Sequence, residues 1–576
     1  MKIYILLILL SFNCFSQTNF YVDKVNGNDL FNGTSITTAW KTIQKAANSA
    51  TANSIVNIKA GTYNENIIVN VSGTVGNLIV FKNYLNDVVI IDGTGTTGNT
   101  LITISNKNNL QFENLTIQNK TVNGAQGILV ETTGTSTSTN LTFKNIKIKN
   151  INWTTNATAT ATASTNAQGL IVYGRNGGIT NLTIDGCEIS NNILGYSEAL
   201  AINGNVDGFV VKNCLVHDNN NIGIDIIGHE GTASPMVIDE ARNGVVKNNI
   251  CYKNISPYAT SGGIYVDGSS NVIIEKNSCY ENGWGIEVGA ELNGTTNNIT
   301  VKNNLIYNNK QAGLSIGGYN TATTGQVTNS IIRNNTFFQN NSLNDGTGEI
   351  SMTKTSNTKF ENNIFYTNSQ NVFMSVDNIM PQTGNIFNYN SWFTPNNNTN
   401  SIVVNWRGTT YSTFASYKTG TSQEANSIYG NPNVVTPSLT APNFQLLSSS
   451  QCINAGNPST VIASGETDYQ EFARIANSII DIGAYEFGST LGFKNNTKLN
   501  YKVYPNPSSG ILNIDFDDEI NEVKITIFNA LGQVIKSEIP SKSSQTLNLS
   551  ELVNGIYFVE IKQNNSKQIN KIIIKK

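Results

Sequence analysis

Gly263-Ile-Tyr-Val-Asp-Gly268 is the most informative stretch of this chain, because three close copies of it lie nearby. The copies are Gly223-Ile-Asp-Ile-Ile-Gly228, Gly285-Ile-Glu-Val-Gly289 and Gly313-Leu-Ser-Ile-Gly317. Apolar and polar residues alternate in each copy, as they do in a strand with one buried face. A phrase that recurs this regularly predicts the stacked coils of a solenoid, with one such strand in each coil.

Asparagine marks the turns between these strands. The turn asparagines are Asn219, Asn254, Asn282, Asn309, Asn340 and Asn368. Asparagine tolerates left-handed backbone, and its amide can bond along a stack, so it recurs where each coil turns. We therefore predict an all-β chain built as one right-handed parallel β-helix from about residue 55 to 487. Cys187, Cys214, Cys251 and Cys279 fall one per coil, and we expect reduced thiols in an interior ladder, with disulfides as the alternative.

Composition narrows the function classes. Only 13% of the 576 residues are charged, and the net charge of −3 comes without a basic run that would bind nucleic acid. Residues 1–16 read as a signal peptide, with Lys2, an apolar run and then small residues. No other apolar stretch approaches the ~20 residues that a membrane helix needs. We expect an exported protein without a transmembrane segment.

The C-terminal part changes character after a short linker at 491–499. Residues 500–576 contain four blocks: Val503-Tyr-Pro-Asn-Pro-Ser-Ser-Gly510, Asn529-Ala-Leu-Gly-Gln533, Asn554-Gly-Ile-Tyr-Phe558 and Lys571-Ile-Ile-Ile-Lys-Lys576. These blocks, in this order, resemble the type IX secretion sorting domain of Bacteroidetes. The resemblance implies a small β-sandwich, the type IX secretion machinery as a partner, and a place at the cell surface or outside the cell, reached through the periplasm and outer membrane.

Residues 17–490 resemble the right-handed parallel β-helix superfamily that includes pectin-lyase-like polysaccharide lyases and β-helical glycoside hydrolases. The resemblance rests on Tyr21-Val-Asp-Lys-Val-Asn-Gly-Asn-Asp29, Trp40-Lys-Thr-Ile-Gln-Lys-Ala46, Ala60-Gly-Thr-Tyr63 and Asp481-Ile-Gly-Ala-Tyr-Glu-Phe487. The first three are typical of the N-terminal cap, whose short helix would bury Trp40 and Ile43, and the fourth is typical of the last coil. The resemblance implies a carbohydrate substrate, and we expect a monomer.

Acidic residues at outward strand positions are confined to three consecutive copies. Stacking predicts one outward column of Ala201, Asp225, Tyr265, Glu287 and Ser315, and a second of Tyr173, Asn203, Ile227, Asp267 and Gly289. Strand spacing places Asp225 and Asp267, and likewise Asp267 and Glu287, about 8 Å apart on the diagonal. Paired carboxyls at such spacings carry out glycoside hydrolysis. We predict Asp225, Asp267 and Glu287 as the catalytic residues.

The single long insertion, residues 228–242, follows the strand that carries Asp225, and insertions in repeat arrays often form the binding face. The predicted substrate-binding residues are Tyr173, Asn203, His229, Glu230, Arg242, Tyr265, Trp284 and Glu291.

Two other functions compete with hydrolysis. A polysaccharide lyase would use Tyr265 or His229 as its base and Arg242 to neutralise a uronate, although an acidic cleft repels uronates. A non-enzymatic glycan-binding surface protein is the alternative from another class. Calcium binding or simple solubility is the alternative explanation of the acidic cluster, and no other cofactor is expected.

Overall fold

The computed structural model describes residues 17–318, 325–395, 401–489, 501–516, 523–529, 534–540, 543–563 and 566–576. The described residues form two compact units. The first runs to Ile462 and adds 468–470 and 474–489; the second contains 463–467, 471–473 and the described residues from 501 onward. The predicted signal peptide and the linker at 491–499 lie outside the described residues.

The first unit is a parallel β-helix whose coils contribute strands to three faces. Face 1 contains Ile67–Ile68, Thr100–Ser105, Ala125–Glu131, the first part of Ala167–Asp185, the first part of Leu200–Lys212, Ile224–Ile227, Gly262–Asp267, Trp284–Ala290, Leu314–Gly318, Ile350–Met352, Val372–Val376 and Val403–Trp406, with Thr409–Tyr411 antiparallel at its end.

Face 2 contains Thr18–Val22, Ser54–Ile58, Ile79–Asn83, Leu110–Glu113, Ser138–Lys144, the second parts of the two long strands, Ala241–Lys247, Ser270–Glu275, Thr295–Asn297, Thr300–Lys302, Gln326–Thr328, Ile331–Arg333, Thr355–Ser356, Lys359–Glu361 and Ile386–Asn388. Face 3 contains Gly61–Tyr63, Val89–Asp92, Thr116–Thr121, Lys147–Asn152, Glu188–Ser190, Leu215–His217, Ile250–Tyr252, Ser278–Tyr280, Leu305–Tyr307, Thr336–Phe338, Ile364–Tyr366, Ser391–Phe393 and Ile428–Tyr429.

Face 1 confirms the stacking that the repeated phrase predicts. Gly223, Gly263, Gly285 and Gly313 lie on neighbouring coils, so that a Cβ on each of the first three would meet the carbonyl oxygen of the next at 2.5–2.9 Å. The apolar residues between them, such as Val266, are fully buried in one continuous core. Glycine at this position therefore allows the coils to approach closely where each strand begins.

Two ladders of buried asparagine side chains run along the helix. The first joins Asn192, Asn219, Asn254, Asn282, Asn309 and Asn340, each side-chain amide donating to the next side-chain oxygen at 2.8–3.2 Å. It ends on the buried carboxylate of Glu349, which accepts from Asn340 N at 3.1 Å and from Asn340 Nδ2 at 2.6 Å. The predicted sixth rung, Asn368, is wrong: its amide donates instead to the backbone carbonyl of Asn340 at 2.9 Å.

The second ladder lies at the turn that enters face 3, and the sequence analysis missed it. It joins Asn249, Asn277, Asn304, Asn335, Asn363 and Asn390 at 2.9–3.1 Å. It ends on buried Glu424, whose oxygens accept from Asn390 Nδ2 at 3.2 and 3.1 Å. Each ladder thus directs its amide N–H groups toward a carboxyl group. These donors stabilise the charged form of that carboxyl.

Short helices close the two ends of the core. The α-helix Ile43–Ser49, after the 3₁₀ turn Ile36–Thr38, is capped by the Thr42 side chain and buries Ile43, Ala46 and Ala47, as predicted. At the other end, the α-helix Phe414–Thr421 buries Phe414 and Tyr417 against the core. A solenoid needs such caps because its terminal coils have no neighbour on one side.

The sequence predicted that segment 481–487 forms the last coil. In the structure this segment instead lies along the outside of face 3. Ile482 and Tyr485 pack there with the hairpin Val434–Thr436 and Asn443–Leu446. The outward residues of face 3 in these coils are themselves apolar, as Tyr307 and Phe338 show. A strand that is apolar on both faces requires cover on both, and the returning chain supplies it.

All five cysteines of the described residues are buried and free, which confirms the expected thiols. Cys251 and Cys279 stand opposite each other in register on face 3.

The second unit contains two antiparallel sheets around a small core. One sheet contains Tyr501–Tyr504, Ile511–Phe516 and Ser544–Asn548; the other contains Val534–Glu538, Val523–Asn529, Gly555–Gln563 and Ser566–Ile574. Leu512 and Leu547 of the first sheet pack with Ile525 and Val559 of the second. This is the small β-sandwich that the C-terminal blocks predict.

Candidate active site

The register of face 1 brings the predicted catalytic residues onto neighbouring strands. Asp225 pairs with Tyr265, and Tyr265 pairs with Glu287 on the next strand. Asp267 pairs with Ile227 on one side and Gly289 on the other. Both columns therefore contain the predicted residues, and the three carboxyls lie on the outer side of face 1 within three coils. The second column continues from Tyr173 to Glu131, so the prediction that outward acids are confined to those three coils is wrong.

Asp225 is the most enclosed of the three. Its side chain is 3% exposed, and its Oδ1 has no hydrogen-bond partner among the described residues. Burial, followed by the charges of Glu198 and Asp267, raises its pKa well above the ordinary value. The neighbour on one side is buried Ala201, part of an apolar patch with Ile171 and Ile227. This environment therefore favours the neutral form of Asp225 over the charged form.

Glu287 and Asp267 differ in their hydrogen bonding. Glu287 is half-buried, and burial, with the charges of Glu291 and Asp267, raises its pKa to about 8. Asp267 is buried, and burial, followed by the charge of Glu291, raises its pKa well above the ordinary value. Its Oδ1 also accepts a hydrogen bond from the Glu291 backbone N–H at 2.8 Å, and this donor acts in the opposite direction because it stabilises the charged form.

Tyr265 lies between the carboxyls. It is buried, its hydroxyl donates to Glu291 Oε1 at 3.4 Å, and burial raises its pKa well above the ordinary value. Glu291 follows the last residue of its strand and is exposed as a whole residue. Its carboxyl is nevertheless surrounded by protein atoms, and this burial raises its pKa. Exposed Glu230 also has a raised pKa, from burial and from the charges of Glu291 and Asp239. Tyr265 is thus a neutral phenol at neutral pH.

Glu198 belongs to the same cluster, and the sequence analysis missed it. Burial raises its pKa to about 8, with the charges of Glu230 and Glu291 adding to the effect. It precedes the strand that begins at Leu200, outside the alternating phrase, so strand periodicity gave no signal. The position of Glu198 two residues before the strand that begins at Leu200 was the one available hint.

Two predicted substrate ligands are occupied in holding the chain. The Asn203 side-chain oxygen accepts from Thr232 Oγ1 at 2.6 Å, which ties the 228–242 insertion to the neighbouring coil. Arg242 starts a strand of face 2, where its Nε lies 3.2 Å from Asp207 Oδ2 and its Nη2 donates to Asn205 at 3.0 Å. Both polar groups are therefore satisfied within the protein.

The remaining aromatic candidates are also enclosed. Trp284 is only 9% exposed, too little to present a ring face to a ligand. The Tyr173 hydroxyl accepts from Gln168 Nε2 at 3.1 Å, and Arg175 lies 5.4 Å above its ring. His229 is half-buried and packs against Gly268 and Gly294, at the edge of the carboxyl cluster.

The carboxyls do not form a metal cage. Among the described residues, no three His, Cys, Asp or Glu side chains are arranged so that they could hold a metal ion together. Raised pKa values also oppose cation binding, because a protonated carboxyl is a poor ligand.

Sequence comparisons establish the family. Residues 162–337 match the family described as right handed beta helix region, and residues 502–575 match the secretion system C-terminal sorting domain. The chain is 34% identical over 420 residues to the uncharacterized protein YwoF of Bacillus subtilis (strain 168), covering 71% of this chain and 86% of YwoF. The chain therefore belongs to the family of YwoF, and its first unit is a right-handed parallel β-helix.

Two solved structures are among those similar to this chain. Pectate lyase Pel9A is 16% identical, with a TM-score of 0.43 over 81% of this chain and 96% of Pel9A. The GH136 lacto-N-biosidase from Eubacterium ramulus is 12% identical, with a TM-score of 0.39 over 65% of this chain and 64% of that protein.

The C-terminal sorting domain shows where the protein acts. The protein is exported by type IX secretion to the cell surface or the extracellular space. Across the described residues, the structure has no helix with the length and apolar character needed to cross a membrane.

Proposed function

We propose that this protein is a secreted glycoside hydrolase whose reaction takes place on the outer side of face 1. The observation that carries the proposal is the pairing of a partly exposed carboxyl with a pKa of about 8, Glu287, with a hydrogen-bonded carboxyl, Asp267, on the next strand. Glycoside hydrolysis needs one carboxyl that holds a proton at neutral pH and a second that is ionised.

Glu287 is the proposed general acid. Its raised pKa keeps it protonated at neutral pH, and its partial exposure lets a substrate oxygen reach the proton. Proton transfer to the glycosidic oxygen leaves Glu287 as a carboxylate, which then recovers a proton from solvent.

Asp267 is the proposed partner that acts on the anomeric carbon. Register places Glu287 and Asp267 on adjacent strands and two positions apart, about 8 Å between backbones. Carboxyls ~6.5–9.5 Å apart leave room for a water molecule between one of them and the sugar. Asp267 would take a proton from that water as it attacks, so we expect inversion at the anomeric centre.

Asp225 and Tyr265 support the ionised form of Asp267. Burial raises the pKa of both groups and so favours their neutral forms, which limits the negative charge that opposes ionisation of Asp267. Asp225 also has an oxygen free of protein partners, which is open to a sugar hydroxyl.

Elimination on a uronate polymer fits this face less well. A lyase requires a cation to neutralise the uronate carboxylate, and the predicted candidate, Arg242, pairs with Asp207 on face 2. The acids of this face that are ionised would also repel a uronate. Hydrolysis of a neutral glycan avoids both difficulties.

A glycan screen with the secreted protein tests the proposal. New reducing ends are measured in parallel with the absorbance of unsaturated uronates, and the anomer released first is followed by NMR. Reducing ends that depend on Glu287 and Asp267 support hydrolysis. Unsaturated products would replace it with elimination, and retained binding without any cleavage would indicate a glycan-binding protein.

A further inference from the structure

A cleft of about 710 Å³ lies beside the carboxyl cluster. It shares one residue with the surroundings of that cluster, His229, and otherwise extends along the helix toward later coils. Its lining comprises His229, Met236, Val237, Asn293, Gly294, Thr295, Gly325, Gln326, Lys354, Met380 and Pro381. Segments from five separate parts of the chain therefore build its walls.

One lip of the cleft is an apolar turn held in place by the 228–242 insertion. The 3₁₀ turn Met236–Ile238 leaves Met236 55% exposed and Val237 76% exposed. The insertion is fixed because Asp239 accepts from the backbone N–H groups of Gly231 at 2.7 Å and Ala233 at 2.8 Å. Exposed apolar side chains on a hydrogen-bonded turn are a feature of binding surfaces.

The second lip is also an apolar turn, and it comes from the segment that contains Met380 and Pro381. Met380 is 47% exposed, beside Pro381. The turn around them is held by Gln382, whose Nε2 donates to the backbone carbonyl of Ile379 at 2.9 Å and also to that of Asp377. Two constrained apolar lips thus face one opening.

The rest of the lining, called the floor below, includes a place where backbone lies directly against backbone. A Cβ on Gly325 would lie 1.9 Å from the Gly294 carbonyl oxygen, so no larger residue fits. Gly294 in turn supports the His229 ring, whose Cδ2 would be 2.1 Å from a Cβ at that position. Asn293 and Gln326 add amides at the floor.

We propose that this cleft binds a sugar ring of the glycan chain at a distance from the bond that is cut. A pyranose has apolar faces and a rim of hydroxyls, which match apolar lips and an amide-lined floor. The proposal rests on the proposed function in one respect: His229 connects the two places, so one chain occupies both. The protein then prefers long neutral oligosaccharides to short ones.

The test uses the full secreted chain and an array of neutral hexose and N-acetylhexosamine oligosaccharides, from disaccharides to octasaccharides, with uronate oligomers as a separate arm. The variant Met236→Ser with Met380→Ser removes both lips. Leu343→Ser, which alters an exposed apolar residue elsewhere, is the matched control. Gln326→Ala tests the floor without changing the lips.

We expect the double variant to bind the longest neutral oligosaccharides about tenfold more weakly, because both apolar side chains lose contact with the sugar; tenfold corresponds to about 1.4 kcal/mol. Binding of the shortest oligosaccharides and the melting temperature should stay the same. Equal length dependence in wild type and variant would overturn the proposal, as would wild-type binding to uronates alone or to no oligosaccharide.

The outcomes for binding and for cleavage separate the two proposals. Length-dependent binding that requires the lips, with no cleavage of any glycan, retains the cleft and removes the hydrolase. Cleavage whose length dependence is unaffected by the lip variants retains the hydrolase and removes the cleft.

Discussion

Two regions of this β-helix bury carboxyls in different ways. At the ends of the asparagine ladders, Glu349 and Glu424 each accept hydrogen bonds from the last amide of a ladder. On the outer side of face 1, Asp225 has an oxygen without a partner among the described residues, and Glu287 lies among other acids.

The carboxyl pKa values are raised by burial in both regions, but the neighbouring groups act on them in different directions. Glu349 and Glu424 are fully buried, which raises their pKa values to about 8 and about 7, while the amide donors act in the opposite direction. For Glu287 the neighbouring charges of Glu291 and Asp267 add to the effect of burial. A raised pKa therefore does not identify a reactive group, whereas unsatisfied oxygens and crowding by like charges do.

The effect of substitutions on turnover should distinguish the two regions most clearly. Glu287→Gln should reduce turnover by about 10²–10⁴-fold, because the amide cannot donate a proton to the leaving oxygen. Asp267→Asn should behave similarly, with melting temperatures close to wild type. Glu281→Gln, the same change on face 3 nearby, should leave turnover unaffected. A Glu287→Gln protein with full activity on the true substrate would contradict the assignment of the acid.

The next largest effect should be on stability, from the middle of a ladder. Asn304→Ala removes an amide that donates to Ile274 O at 2.9 Å and Asn335 Oδ1 at 2.9 Å and accepts from Asn277. We expect a loss of about 3 kcal/mol in the free energy of unfolding, because several buried groups lose partners at once.

The control for the ladder is an exposed turn asparagine. Asn298 has φ of 57° and bonds Asn271 at 2.7 Å near the surface. Asn298→Gly keeps the left-handed backbone accessible and should cost about 0.5 kcal/mol. Denaturant unfolding of both variants measures the difference, and equal losses would show that the buried ladder adds no special stability.

A smaller effect should distinguish amide substitutions in the two regions. Above pH 8, where Glu349 is ionised and both its oxygens accept, Glu349→Gln turns one acceptor oxygen into an N–H donor that faces Asn340 Nδ2 or N, so it should destabilise by about 1–3 kcal/mol. Asp225→Asn loses no hydrogen bond at Oδ1 and should be neutral or stabilising, while activity falls. Paired thermal melts and activity assays check this, and a Glu349→Gln protein as stable as wild type would contradict the role of the ladder end.

The smallest effect is the pH dependence of stability. Glu349 and Glu424 have folded pKa values of about 8 and about 7, above the ordinary 4.5, so the folded state binds more protons. Their contribution is complete below pH 4.5 and is lost as pH rises through 7 to 8. Stability measured from pH 4.5 to 8 should fall, and Glu349→Gln should flatten part of that slope. An unchanged slope in this variant would assign the effect to the carboxyls of face 1.

The solenoid, its caps and its outward columns could be predicted from the sequence. Alternation is a property of each strand, and parallel stacking in register places equal positions over each other, so the columns through Asp225 and Asp267 follow from spacing alone. The C-terminal sandwich was predicted from its blocks for a similar reason, since each block is contiguous.

Tertiary structure decided which polar groups remain available. Glu198 joins the carboxyls, Glu349 replaces Asn368 at the end of a ladder, and Arg242 is paired on face 2. Each outcome depends on where a loop returns after leaving its coil, which strand periodicity does not encode. Burial and pairing are set by contacts between segments distant in sequence, so the sequence alone determined the positions of the acids, while the folded chain determined their protonation and their partners.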